Sequence, residues 1–221
     1  MITEQTLRRM MPAAGARLDA HLPYIVPAME KGRINTPDRI AAFLAQLAHE
    51  SGEYRHMAEI WGPTEAQLGY EGRADLGNIQ PGDGRKFAGH GPIQITGRAN
   101  HRACGAWLGL DLEADPLLLT RPEYGTASAV WFWTIGNKQI DLNLLADRGW
   151  FKAITRVING GLNGLSDRRH YWDRNRALLG LPPIDLDYEG ERIKAFQRER
   201  GLVADGAAGP KTFAAVRAAA A

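Results

Sequence analysis

The sequence predicts a mainly α-helical protein with one small loop-rich lobe and a short helical appendage. Three observations predict it: apolar residues recur at helical spacing in several segments, glycine and proline concentrate between Gly62 and Gly91, and the composition changes again from about Tyr188. The chain has 221 residues, which suits one domain of ordinary size with a small addition. Its 44% apolar and 24% charged residues exclude disorder, collagen and coiled coil as the main description. No stretch approaches the ~18 apolar residues of a membrane span.

The elements follow in order. A helical region over about Gly15 to Glu30 is expected to be interrupted by Pro23 and Pro27. Thr36-Pro37 reads as an N-cap followed by proline at the first helical position, where the missing N–H costs nothing. Ile40, Phe43, Leu44 and Leu47 then fall at i, i+3, i+4 and i+7, so a helix should run to Glu50 and weaken at Gly52. Residues 62–91 should be mostly loop. The alternation in Gly91-Pro92-Ile93-Gln94-Ile95-Thr96 predicts a short strand. Pro122 opens another helix, with Trp131 and Trp133 near its end as core residues. Trp150 to Ile158 is helical and stops at Asn159-Gly160-Gly161, and Ser166 is expected to cap a helix running to Leu179. In the tail, helices are expected over Glu191–Arg200 and from Pro210 to about Arg217. The expected division is residues 1–182 for the main domain (small lobe about 60–91), 183–187 for a linker and 188–221 for the tail.

Several chemistries are excluded early. Cys104 is the single cysteine, so no intramolecular disulfide and no cysteine-based zinc site can form. It reads as a small buried thiol beside a surface His101. His49-Glu50 begins like a zinc-protease motif, but position 53 is Glu where that motif needs a second His. No GxGxxG or P-loop follows a long apolar strand, and no metal or cofactor is expected. The net charge of +2 is too balanced to indicate nucleic acid. Residues 148–176 carry seven Arg and Lys against two Asp, either a solvated face or one that attracts an anionic polymer.

The carboxylates carry the chemistry. Glu50, Glu53 and Glu59 lie at or just beyond the end of one helix, beside the glycine-rich lobe. Glu50 follows directly on an apolar helix and is expected to be partly buried, the setting of a general acid. Glycoside hydrolysis needs two carboxyl groups, one to protonate the leaving oxygen and one to activate water or attack the sugar. On one unbroken helix Glu50 and Glu59 would stand about 13.5 Å apart along the axis and on opposite faces. A working pair therefore requires the chain to turn between them, and Gly52 is the expected place.

These residues also resemble a known family. Phe43-Leu44-Ala45-Gln46-Leu47-Ala48-His49-Glu50-Ser51-Gly52 resembles the signature around the catalytic acid of glycoside hydrolase family 19, which holds plant and bacterial chitinases and many phage endolysins. Gly89-His90-Gly91-Pro92-Ile93-Gln94-Ile95-Thr96 resembles its second signature. Val157-Ile158-Asn159-Gly160-Gly161 and Asp167-Arg168-Arg169 match two further regions in the family's order. Trp61-Gly62-Pro63-Thr64 and Tyr70 to Asn78 resemble the phage and prophage branch. The resemblance implies a lysozyme-like two-lobed helical fold. It implies Glu50 as general acid, Glu59 as general base with Glu71 as the competing position, and Thr96 as a holder of the attacking water. Gln94, Asn100 and Asn159 would line the substrate groove, and Arg168 would pair with the catalytic carboxylates. His90 departs from the pattern, which usually has Arg there. The implied mechanism is single displacement with inversion, across a carboxylate separation of about 6.5–9.5 Å. Trp61, beside Glu59, is a candidate for stacking on a sugar ring.

The tail, Ile193 to Gly206 with Gly209-Pro210-Lys211-Thr212, resembles half of a helical peptidoglycan-binding domain. The combined expectation is a phage or prophage endolysin, a monomer that cleaves β-1,4 bonds of peptidoglycan strands. A chitinase and a non-catalytic wall-binding protein are the alternatives. Met1-Ile2-Thr3-Glu4 shows no basic segment leading into an apolar one, so no signal peptide is read. Residence in the host bacterial cytoplasm before release, and action on the wall in the periplasm, are expected.

Overall fold

The computed structural model describes residues 2–220, and the mainly α class holds throughout. Its contacts divide the chain into two units, Met1–Gly32 with Leu47–Phe132, and Arg33–Gln46 with Trp133–Ala221. No helix among the described residues is long and apolar enough to cross a membrane.

In the first unit, α1 (Glu4–Met10) is capped by the Thr3 hydroxyl, which accepts the Thr6 N–H. Helix α2 (Arg17–Lys31) passes through both Pro23 and Pro27 without a break, contrary to the expected interruption. The two prolines are four apart and both exposed, as is Asp19, whose carbonyl loses its partner to Pro23. The forfeited hydrogen bonds thus lie on the wet face, while Leu18, Ile25 and Met29 bury the other. That face packs against α7 (Pro122–Trp131). The second half of α3 (Pro37–Ser51) enters this unit from Leu47. Two short helices, α4 (Glu65–Leu68) and α5 (Asp83–Lys86), and one 3-10 turn (Ala74–Leu76) are the only helical turns between residues 60 and 91, so this segment is loop-rich as expected. Helix α6 (Arg98–Leu108) follows; its Arg98 grips Asp83 and Glu113 and donates its backbone N–H to Asn78, tying the loop segment to the helix start.

The predicted strand over 91–96 does not form. Gly91 (φ +76°) and Gln94 (φ +55°) instead make a tight turn, closed by the Gln94 N–H on the Gly91 carbonyl. His90 and Ile95 exchange both backbone hydrogen bonds across it, and Ala58 bridges to His90 on the other side. The apolar-polar alternation belonged to a turn whose Pro92 and Ile93 are both buried.

In the second unit, α3 begins as predicted: the Thr36 hydroxyl accepts the Arg39 N–H. After a π-helical turn (Phe132–Gly136) come α8 (Asn143–Ala146), α9 (Phe151–Asn159) and α10 (Leu165–Leu178). Phe43 meets Trp133 edge-on at 5.4 Å, and Phe151 stacks on Trp172 at 4.5 Å, so the core is built around these rings. Trp131 and Trp133 are buried, as expected. Ser166 does not cap α10; the helix starts at Leu165, two residues earlier than such a cap implies, after Gly164 in a left-handed conformation.

The tail helices α11 (Glu189–Glu199) and α12 (Pro210–Ala218) close this unit. Glu189 is buried, and its two carboxylate oxygens accept the Lys152 and Ala153 N–H groups at 2.7 and 2.8 Å. It therefore satisfies two of the orphan donors at the start of α9. Phe196 packs edge-on against Trp150. Glu189→Ala leaves the buried Ala153 donor and the half-buried Lys152 donor without an acceptor. It is expected to cost about 2–3 kcal/mol, read as a fall in Cm in a urea titration.

Candidate active site

Helix α3 ends at Ser51, and the chain then enters three successive left-handed residues, Gly52 (φ +55°), Glu53 (+56°) and Tyr54 (+62°). Glycine takes this conformation freely; Glu and Tyr take it at a cost of about 1 kcal/mol or more each. Tertiary contacts hold them there. The Ser51 hydroxyl donates to the Leu47 carbonyl and accepts the Tyr54 N–H. Tyr54 is fully buried, stacked on His21 at 4.0 Å, with its hydroxyl bonded to Thr126. Burial pushes the Tyr54 hydroxyl's pKa up. The turn leaves Glu50 half-buried on the last helical turn and sends the chain off toward Glu59.

Glu59 is held by three donors. Its Oε1 accepts from Gln67 Nε2 at 3.0 Å and from the Tyr70 hydroxyl at 3.4 Å; its Oε2 accepts the Gly89 N–H at 2.9 Å. The backbone closes the same clamp, with the Glu59 N–H on the Gly89 carbonyl. Gln67 was not singled out from the sequence, yet it is the hub. As the third helical residue of α4 it forms a capping box with Thr64, and its Oε1 accepts the Gly62 and Thr64 N–H groups. Those two acceptor bonds fix the amide's orientation and leave Nε2 to donate to Glu59. The spacing Thr64-x-x-Gln67 was the available signal.

Glu71 sits differently. Its two oxygens accept the Gly82 and Gly84 N–H groups at 2.7 and 2.8 Å, so it ties two parts of the loop segment together. The 91–96 turn carries Gln94 and Thr96, both half-buried. Gln94 Nε2 donates to the Gly91 carbonyl, the Thr96 hydroxyl donates to the Gln94 carbonyl, and Asn100 Nδ2 donates to the Thr96 carbonyl. Trp61 is half-buried beside the strongly exposed Ile60. Glu50, Glu59, Trp61, Gln94, Thr96 and Asn100 all belong to the first unit.

Glu50 of the first family signature and Gln94 and Thr96 of the second thus belong to one unit. A family model described as Chitinase class I matches residues 27–141. The chain is 31% identical over 196 residues to a glycosyl hydrolase family 19 domain-containing protein of Haemophilus influenzae, covering 76% of this chain and 92% of that one. The chain belongs to glycoside hydrolase family 19. It is also 36% identical over 151 residues to an endochitinase of Arabidopsis thaliana, 65% of this chain and 49% of that protein, so it spans about half the length of such plant relatives. Among solved structures, chitinase C from Streptomyces griseus aligns with TM-score 0.65 at 24% identity, over 84% of this chain and 79% of that one. A bacterial family 19 chitinase aligns with TM-score 0.66 at 23% identity, over 84% and 98%. These two likenesses establish the lysozyme-like family 19 fold.

The remaining expected site residues of this family 19 chain lie in the second unit. Asn159 is exposed at the end of α9, where Gly160 (φ +72°) stops the helix. Arg168 is buried; its Nη1 donates to Gln46 Oε1 and its Nε to the Asn163 carbonyl. Gln46 in turn donates to Thr155, so Arg168 braces α3 one turn before Glu50. The basic run of residues 148–176 is largely spent inside the unit. Arg168 and Arg176 are buried, Arg176 against Asp38, while Arg169 faces Asp173 and Lys152 faces Asp187. That leaves less free charge for an anionic polymer than the residue count implied.

Gly89 is the tightest point of the site. A Cβ there would lie 2.5 Å from Gln94 Oε1 and 3.1 Å from the Gln94 Cβ. Gly89→Ala must therefore displace Gln94 or loosen the N–H held on Glu59. It is expected to cost about 1–3 kcal/mol of stability and to lower the turnover rate more than ten-fold, checked by thermal melting alongside glycan hydrolysis.

Proposed function

We propose that this family 19 glycosidase cleaves β-1,4 bonds between N-acetylmuramic acid and N-acetylglucosamine in peptidoglycan, as an endolysin of phage or prophage origin. The observation that carries the chemistry is the clamp on Glu59, three donors holding its carboxylate beside the turn that bears Gln94 and Thr96. Glu50 serves as the general acid and protonates the glycosidic oxygen. Glu59 serves as the general base. The Thr96 hydroxyl spends its proton on the Gln94 carbonyl, so its oxygen lone pairs are available to accept. A water can then give one hydrogen to Glu59 and the other to Thr96, and aim its own lone pair at the anomeric carbon. Attack from the face opposite the leaving oxygen inverts the configuration.

Gln94, Asn100 and Trp61 serve as groove residues in this reading; the groove role of Asn159 and the pairing of Arg168 with the catalytic carboxylates rest on the family resemblance alone. Peptidoglycan is favoured over chitin by two sequence features, the phage-like segment from Trp61 to Asn78 and the tail that resembles half of a wall-binding domain. Action as a monomer on the wall from the periplasmic side, after synthesis in the bacterial cytoplasm, belongs to the same proposal. The second reading, a chitinase, is favoured by the endochitinases among its relatives. Mass spectrometry of digested peptidoglycan tests the proposal: new N-acetylmuramic acid reducing ends are expected. Reducing ends released from colloidal chitin, with peptidoglycan left intact, would replace it with the second reading.

A further inference from the structure

The 91–96 turn is anchored by two histidines. His101 Nδ1 lies 2.9 Å from the Gly97 carbonyl, and His101 Nε2 lies 3.1 Å from His90 Nδ1. Both rings are buried, at 6% exposure for His90 and 0% for His101. This overturns the sequence expectation of a surface His101.

The proton positions follow from the partners. A carbonyl only accepts, so His101 Nδ1 carries hydrogen. In the neutral ring His101 Nε2 is then a lone pair, and His90 Nδ1 must donate to it. The chain of bonds runs His90 Nδ1–H to His101, and His101 Nδ1–H to Gly97. It joins the residue before the turn to the residue after it. His90 also follows Gly89, the N–H donor to Glu59, and exchanges backbone bonds with Ile95.

We propose that His90 and His101 are positioning residues, a two-ring clasp that fixes the turn carrying Gln94 and Thr96 relative to Glu59. The inference rests on the reading of those residues as the site, and it names a support within it. Burial lowers both imidazole pKa values, His101 to about 4. The carboxylates that act on His90 are Glu59 and Asp115, and both favour its charged form. Arg98, on the same helix as His101, is occupied by Asp83 and Glu113. One added proton can sit on His90 Nε2 with the clasp intact. A second would set two N–H groups face to face across 3.1 Å, and the clasp would open.

The test uses two substitutions at one position. His101→Gln keeps one donor for the Gly97 carbonyl and one acceptor for His90, without a titrating ring. His101→Phe keeps a ring beside Phe87 but supplies neither. At neutral pH, His101→Phe is expected to lose at least ten-fold in kcat on peptidoglycan with KM changed less, while His101→Gln recovers most of it. Nitrogen-15 NMR of the wild-type imidazoles should show hydrogen on Nδ1 and not on Nε2 in both rings. The amide shifts of residues 94–97 should move in His101→Phe and return in His101→Gln. Wild-type activity in His101→Phe, equal losses in both variants, or a wild-type His90 bearing its hydrogen on Nε2 would overturn the clasp. Should the protein hydrolyse no glycan, the proposed function fails; the ring protonation and the amide shifts still decide whether the clasp exists.

Discussion

Glu50→Gln is expected to lower glycan hydrolysis by roughly 10²–10⁴-fold while leaving the fold intact. The amide matches the carboxyl in shape but has no acidic proton to give the leaving oxygen. Glu50 lies half-buried on the last turn of α3. Ser51, Gly52 and Tyr54 make the turn. The melting temperature of the variant should therefore stay within a few degrees of wild type, and it should still bind the insoluble substrate in a pull-down. Unchanged hydrolysis would remove Glu50 from the role of acid.

The second large effect separates Glu59 from Glu71. Both carboxylates accept backbone N–H groups, so each Gln variant turns one acceptor into a donor facing a donor. Stability alone cannot distinguish them. The chemistry can. Glu59 adjoins the turn with Thr96, through Gly89 and His90, whereas Glu71 binds Gly82 and Gly84 within the loop segment. Glu59→Gln is expected to lose roughly 10²–10⁴-fold in kcat. Glu71→Gln is expected to lose about 1–3 kcal/mol of stability with kcat close to wild type at a temperature where it remains folded. Steady-state kinetics and chemical denaturation on both variants check this, and the opposite pattern would make Glu71 the base.

Legibility in the sequence followed locality. Helix α3 could be read from end to end because its cap, its proline and its apolar stripe all act within a few residues. Its stop at Gly52 was equally local. Helix α2 was misread because the cost of Pro23 and Pro27 depends on which way they face, and only tertiary packing turned them to the wet side. The 91–96 turn was misread because a buried turn can show the same alternation as a strand, and the positive φ of Gln94 leaves no mark in composition. For the candidate site, the family signatures pointed to Glu50, Gln94 and Thr96. What holds Glu59 was not legible as such. Gln67 announces a helix cap eight residues away, and its second bond, to a carboxylate, appears only when the loop folds back. His101 shows the same limit: three residues before Cys104 it reads as surface, and only the packing of α6 reveals a buried ring with two polar partners.

The cap that Glu189 places on α9 has a consequence for how the chain is made. The donors at Lys152 and Ala153 find their acceptor 37 and 36 residues further along. A growing chain presents α9 well before it can supply that acceptor, so the start of this helix stays open to water until most of the polypeptide has been synthesised. Completion of the unit is thus timed by translation of α11, and a stop codon ahead of residue 189 would release a chain whose helix α9 was never sealed.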